Sequence, residues 1–102
     1  MYFVSKYIRE HTDTVVVLSG EGADEVCQGY IYFYQQPTSE EGDQESRRLC
    51  QDLYLFDVLR ADRTTAAHGL ELRVPFLDHA FTSYYLSWPS RERAPTKQRA
   101  EK

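Results

Sequence analysis

Asparagine is absent from the 102 residues, so the chain holds no Asn-X-Ser/Thr acceptor for N-glycosylation. Cysteine occurs only twice, at Cys27 and Cys50. That is too few for a disulfide scaffold, and the spacing is not that of a zinc site. No apolar run approaches the roughly 20 residues that cross a bilayer, and the first residues lack a basic-then-apolar leader pattern. Positive charge is scarce, with 12 Lys and Arg against 16 Asp and Glu, a net charge of −4 and a pI near 5.3. This argues against a general nucleic-acid binder, which needs a basic face to displace counterions from phosphates. No Ser-His-Asp order, Walker lysine, HExxH motif or internal repeat is present. What remains is 41% hydrophobic and 14% aromatic, too apolar for a chain disordered throughout. A small domain, or a piece of a larger one, is expected, cytosolic and without a membrane or nucleic-acid partner.

Phe3, Val4, Tyr7 and Ile8 fall on one face of a short helix over residues 2–11. Val15-Val16-Val17-Leu18 is apolar at every residue and reads as a buried-type strand at about 14–18, covered on both faces. The turn-rich acidic segment Ser19-Gly20-Glu21-Gly22-Ala23-Asp24-Glu25 follows it and leads into a helix start. Helix, strand, glycine loop and helix is the local grammar of an α/β layer. A polar connection over 35–46 offers Thr38 or Ser39 as a helix cap. From there to about Leu70 the stripe Leu49, Leu53, Phe56, Leu59, Ala67 and Leu70 predicts a long helix, with Thr64-Thr65 and Gly69 as places where it could divide. Leu72–Asp78 reads as extended, and Asp78 can cap a last helix over 79–87. Beyond Trp88-Pro89 the pattern is lost, and Arg91, Arg93, Lys97 and Arg99 are expected as solvated charge on a frayed tail. The chain reads as mostly helical with one strand, which by itself makes no sheet.

Two places could carry chemistry. In open α/β sheets ligands sit beyond the carboxyl ends of the strands, where this glycine loop stands. Gly20 and Gly22 remove Cβ atoms that would hold backbone N–H groups off a phosphate, Ser19 adds a hydroxyl, and a helix N-terminus adds partial positive charge. Glu21, Asp24 and Glu25 would repel a phosphate unless Mg²⁺ intervened, since Mg²⁺ is held by one or two carboxylates plus substrate phosphates. The same residues also suit a plain glycine turn with acids at a helix start. On the long helix, Arg60 and Arg63 project into the core stripe and Asp57 runs along its edge. A buried arginine needs its charge met, by Asp57 in a structural pair with Arg60 or by an anionic ligand. The Tyr30-Ile31-Tyr32-Phe33-Tyr34 run lacks interleaved Lys or Arg and reads as core packing, with no base-stacking platform.

Both segments match a known family. Val17-Leu18-Ser19-Gly20-Glu21-Gly22-Ala23-Asp24-Glu25 with Gln28-Gly29-Tyr30-Ile31-Tyr32-Phe33, and the run from Leu53-Tyr54-Leu55-Phe56-Asp57-Val58-Leu59-Arg60 to Val74-Pro75-Phe76-Leu77-Asp78, resemble the synthetase domain of glutamine-hydrolysing asparagine synthetases. The resemblance covers residues 1–89 as a partial domain and leaves 90–102 as a divergent, disordered tail. It implies a fragment of an adenine-nucleotide α-hydrolase-like (HUP) α/β fold. It also implies a carbon–nitrogen ligase, using ATP and Mg²⁺ to turn aspartate into β-aspartyl-AMP, which ammonia from a glutaminase domain converts to asparagine. Carried over by motif, Ser19 and Gly20 contact the adenosine part of ATP, and Asp24 helps hold Mg²⁺. Glu21 sits at the intermediate as the base for ammonia, and Asp57 and Arg60 line the aspartate and phosphate pocket. Ala23 stands where the family usually has Ser, which changes one hydroxyl.

Absences shape the remaining expectations. The family's Ser-Gly-Gly-x-Asp-Ser-Ser pyrophosphate loop is not in this sequence, residue 2 is Tyr where the glutaminase domain carries Cys, and Thr96–Lys102 replaces the catalytic lysine segment. A slice of the synthetase domain is expected, inactive alone and belonging to a parent that could be a homodimer. A non-catalytic fragment that only associates with a full-length subunit is the alternative. A relative making a β-lactam would favour tyrosine at the position of Glu21.

Overall fold

The structure, a computed structural model, describes residues 1–96. Its order is helix α1 (Tyr2–His11), strand β1 (Val16–Leu18), helix α2 (Ala23–Cys27), a 3-10 turn at Ile31–Gln35 and helix α3 (Ser39–Asp52). A second 3-10 turn (Leu53–Leu55) leads to helix α4 (Asp57–Ala66), strand β2 (Glu71–Arg73), a third 3-10 turn (Pro75–Leu77) and helices α5 (His79–Leu86) and α6 (Ser90–Arg93). A mostly helical α/β architecture is therefore present.

The strand has a neighbour after all. β1 pairs with β2 in parallel, Val16 with Glu71, Val17 with Leu72 and Leu18 with Arg73. β2 escaped the sequence reading because three residues alternating polar, apolar and polar carry too little period to mark a strand. Burial on both faces is also corrected: Val16 is 46% exposed and Leu18 76%. A parallel strand is covered on both faces only when helices lie on both; here α4 packs against β2, and α1 packs against α4.

The long helix is two helices. The tighter turn at Leu53–Leu55 and the backbone of Phe56 (φ −117°, ψ −95°) break it, while Thr64 and Thr65, which bond back to the Arg60 and Ala61 carbonyls, lie inside α4. The break turns the helix face. Leu53 and Leu70 stay buried, whereas Phe56, Leu59 and Ala67 are exposed. Ala61 and Thr65, one helical turn apart, become the buried edge of α4. Arg60 and Arg63, expected on the core stripe, both stand at the surface.

The caps follow the sequence. Thr38 accepts from the Glu41 N–H at the start of α3 (3.2 Å), and Asp78 Oδ2 accepts from the Phe81 N–H at the start of α5 (3.0 Å). In the tyrosine run only Phe33 reaches the core, and Ile31 is 81% exposed. Among the described residues, Val26, Phe33, Leu53, Ala61 and Leu70 are the buried hydrophobic ones. The radius of gyration is 15.9 Å, against about 13 Å for a compact body of this length.

Ser90–Arg93 form a turn of helix where fraying was expected. Arg93 is not solvated charge: it is buried, donates to the Asp43 carboxylate of α3, and donates through Nε to the Trp88 carbonyl (3.0 Å). The rest of the expected tail, residues 97–102, lies outside the described residues.

Candidate functional site

β1 hands directly to the site. The Ser19 N–H makes the last bond to β2, at the Arg73 carbonyl (2.9 Å), and the chain then turns, with the Ala23 N–H on the Gly20 carbonyl (3.0 Å). Gly22 holds this turn at φ +87°, a left-handed conformation that L side chains resist. A Cβ on Gly29 would stand 2.0 Å from Asp24 Oδ1, so the Asp24 carboxylate packs against bare backbone. α2 is only five residues long and carries Asp24 and Glu25 in its first turn. The partial positive charge expected of its N-terminus is correspondingly slight.

A cavity of about 290 Å³ opens beside this loop. Ser19, Gly20, Glu21, Asp24, Asp57 and Arg60, the six residues singled out from the sequence, all line it, together with Gly22, Glu25 and Tyr30. The helix break at Phe56 makes this possible by starting α4 at Asp57, so that Asp57 and Arg60 face the loop from its first turn. Arg60 Nη2 lies 2.6 Å from Asp57 Oδ1. The structural pair read from the sequence is thus present, on the wall of the cavity.

Four carboxylates (Glu21, Asp24, Glu25 and Asp57) and one guanidinium line this space. Burial, then the charges of Asp57 and Glu25, push the Glu21 carboxyl above its ordinary range, against the pull of Arg60 and the Ser19 hydroxyl. Tyr30 donates its hydroxyl to Glu25 Oε1. That bond, with burial and the charges of Glu25, Asp57 and Asp24, pushes the Tyr30 phenol far above its usual value. Glu25 is itself buried, and the Ser46 hydroxyl of α3 donates to its backbone carbonyl.

Glu25 and Tyr30 were not singled out beforehand as site residues. The signal for Glu25 was its place among the acids of the site loop, four residues after Glu21; that for Tyr30 was its place in the Gln28-Gly29-Tyr30 motif. Among the described residues, no three His, Cys, Asp or Glu side chains converge to hold a metal ion. Asp24, carried over by motif as the Mg²⁺ residue, thus has no ready-made set of protein ligands around it. Such a site fits Mg²⁺ only when phosphate oxygens complete the shell, and an anionic phosphate fits among four carboxylates only with such a cation beside it.

The asparagine synthase family profile matches residues 1–45 and 37–101. Among curated proteins, the asparagine synthetase [glutamine-hydrolyzing] of Gallus gallus is 72% identical over 95 residues. Those of Homo sapiens and Mus musculus are 68% identical over the same length. Each alignment covers 93% of this chain and 17% of the relative. The chain thus spans about a sixth of the length of these proteins.

Proposed function

This chain belongs to the asparagine synthase family, and from that premise we propose that it supplies one wall of the site where aspartate, ATP and ammonia become asparagine. The single observation that supports the reading most is the convergence of all six motif residues on one cavity at the carboxyl end of β1. In the proposed reaction the aspartate side-chain carboxylate attacks the α-phosphate of ATP, giving β-aspartyl-AMP and pyrophosphate. Ammonia then attacks the acyl carbon, AMP leaves with the electron pair of the broken C–O bond, and the amine proton passes to Glu21.

Each residue has a part. Ser19 presents its hydroxyl, and Gly20, whose absent Cβ would meet nothing within 4 Å, leaves room for a nucleotide to approach the backbone. Glu21 suits the base, because a carboxylate whose pKa is raised takes a proton more readily than an ordinary one. Asp24 would share Mg²⁺ with phosphate oxygens. Arg60, 59% exposed and anchored on Asp57, offers donors to an anionic group without leaving its partner.

The test is transplantation. The aligned segment of this chain, exchanged into the Gallus gallus relative, should sustain asparagine formation from aspartate, ATP and ammonia. A chimera that folds yet forms no asparagine would overturn the reading.

A further inference from the structure

Behind the site lies a second and larger cavity, of about 520 Å³, with Leu49, Leu53 and Phe56 as its apolar floor and Arg48 and Asp52 at its rim. It shares Glu25, Tyr30 and Asp57 with the site cavity. The two spaces meet where the Tyr30 hydroxyl bonds the Glu25 carboxylate. Glu25 is a side chain of unusual standing here, 5% exposed. A buried carboxylate needs hydrogen-bond donors or a cation, and Tyr30 supplies the one side-chain donor described for it. Its backbone is separately pinned, since the Ser46 hydroxyl donates to the Glu25 carbonyl.

We propose, resting on the reading above, that Tyr30 is a positioning residue: by donating to Glu25 it fixes that buried carboxylate between the two cavities, facing Glu21. Tyr30 itself takes no proton from the reacting groups; it acts through Glu25. The fixed charge is one of several around Glu21. Asp57 and Arg60 face it from α4, Asp24 and Glu25 from α2, and the Ser19 hydroxyl from the loop. Around Glu25 stand Tyr30, Asp57 and Cys50, with Arg48 and Asp52 across the second cavity. Released from Tyr30, the Glu25 carboxylate would no longer be held against the acidic site cavity and could swing into the second cavity, where Arg48 is already engaged by Glu45 and Asp52. Its contribution to the raised Glu21 pKa would then fall.

The experiment compares Tyr30→Phe, Glu25→Gln and the double variant in the chimera with the Gallus gallus relative. The acid limb of the pH profile for asparagine formation should move to lower pH in both single variants. In the double variant it should move no further. A limb that stays in place in Tyr30→Phe, with only rate or stability lost, would make Tyr30 a packing residue and overturn the proposal. The second readout needs no activity: tyrosine absorbance of the full 102-residue chain. By about pH 11, Glu25→Gln should ionise one more phenol than the unaltered chain, and the double variant should ionise no more than the unaltered chain. Equal counts in all three would overturn the Tyr30–Glu25 bond. If the chimera makes no asparagine, the functional reading fails separately, and this phenol count still decides the bond.

Discussion

A Cβ placed on Gly22 would lie 2.1 Å from Leu77 Cδ2. The loop after β1 is therefore closed down on the 3-10 turn that follows β2, and the loop owes its shape to a contact from the far end of the sequence. Gly20, two residues earlier, is the opposite case: nothing stands within 4 Å of its absent Cβ, and its φ is not left-handed.

The two glycines should therefore separate folding from function. Gly22→Ala meets both a left-handed backbone, which costs about 1–2 kcal/mol for a residue with a Cβ, and the clash with Leu77. A drop in thermal midpoint is expected wherever the variant is made. Gly20→Ala should leave the midpoint nearly unchanged in the chimera while weakening ATP binding, because the new methyl group occupies the space kept for a ligand. Equal midpoints for the two variants would contradict this division.

A second prediction concerns α6. Arg93 is buried against Asp43, and Arg47 also holds Asp43 from one turn along α3, at 3.0 Å. Burial pushes the Asp43 carboxyl up, but the bonds from Arg93 and Arg47 outweigh it and hold the carboxyl below its ordinary value. A depressed carboxyl contributes stability above its unfolded pKa, and that contribution is lost as pH falls through the folded value. Asp43→Asn should cost about 1–3 kcal/mol at neutral pH, because it leaves a buried guanidinium without its counter-charge. The difference from the unaltered chain should shrink in acid. Denaturant titrations at neutral and acidic pH would measure it, and a difference independent of pH would refute the pairing.

How far the sequence could be read depended on how local the determinant was. Thr38 and Asp78 were legible as caps because a cap is made within three residues of itself. The site loop was legible because its residues are contiguous in one motif. β2 was not, since Glu71-Leu72-Arg73 becomes a strand only by lying against Val15–Leu18. The helix break at Phe56 was equally silent, for Leu53 and Phe56 continue the apolar stripe through it. Placing Arg60 on a core stripe followed from assuming one straight helix; the break rotates it to the cavity wall. Arg93 looked like tail charge because its partner, Asp43, is remote in sequence. Tertiary contact decided each of these.

A third prediction is that the 102-residue chain alone shows no aspartate-dependent ATP–pyrophosphate exchange. The site cavity presents one guanidinium against four carboxylates, whereas an in-line triphosphate needs its developing charge clamped by several cations. Exchange above that of a Glu21→Gln control would contradict this.

The last prediction concerns Glu21, where stability and function should pull apart. In the chimera, Glu21→Gln keeps the side-chain volume and removes the base, so asparagine formation should fall by about 10²–10⁴, the usual cost of losing an acid–base group. ATP affinity should change little, because the proposed nucleotide contacts belong to Ser19 and Gly20. Stability should move the other way. Burial, Asp57 and Glu25 raise the Glu21 pKa above its ordinary 4.5, so the folded chain binds that proton more tightly than the unfolded one. Stability from this group is present below the unfolded pKa, is lost as pH rises through the folded value, and leaves ionised Glu21 a net cost at neutral pH. Glu21→Gln removes that cost. Its thermal midpoint should exceed that of the unaltered protein at neutral pH and converge with it near pH 4. If Glu21 instead served only to support the start of α2, the substitution would lower stability by about 0.3–1 kcal/mol and leave synthesis near normal. A variant that is less stable at neutral pH and still makes asparagine at the normal rate would end the assignment of Glu21 as the base.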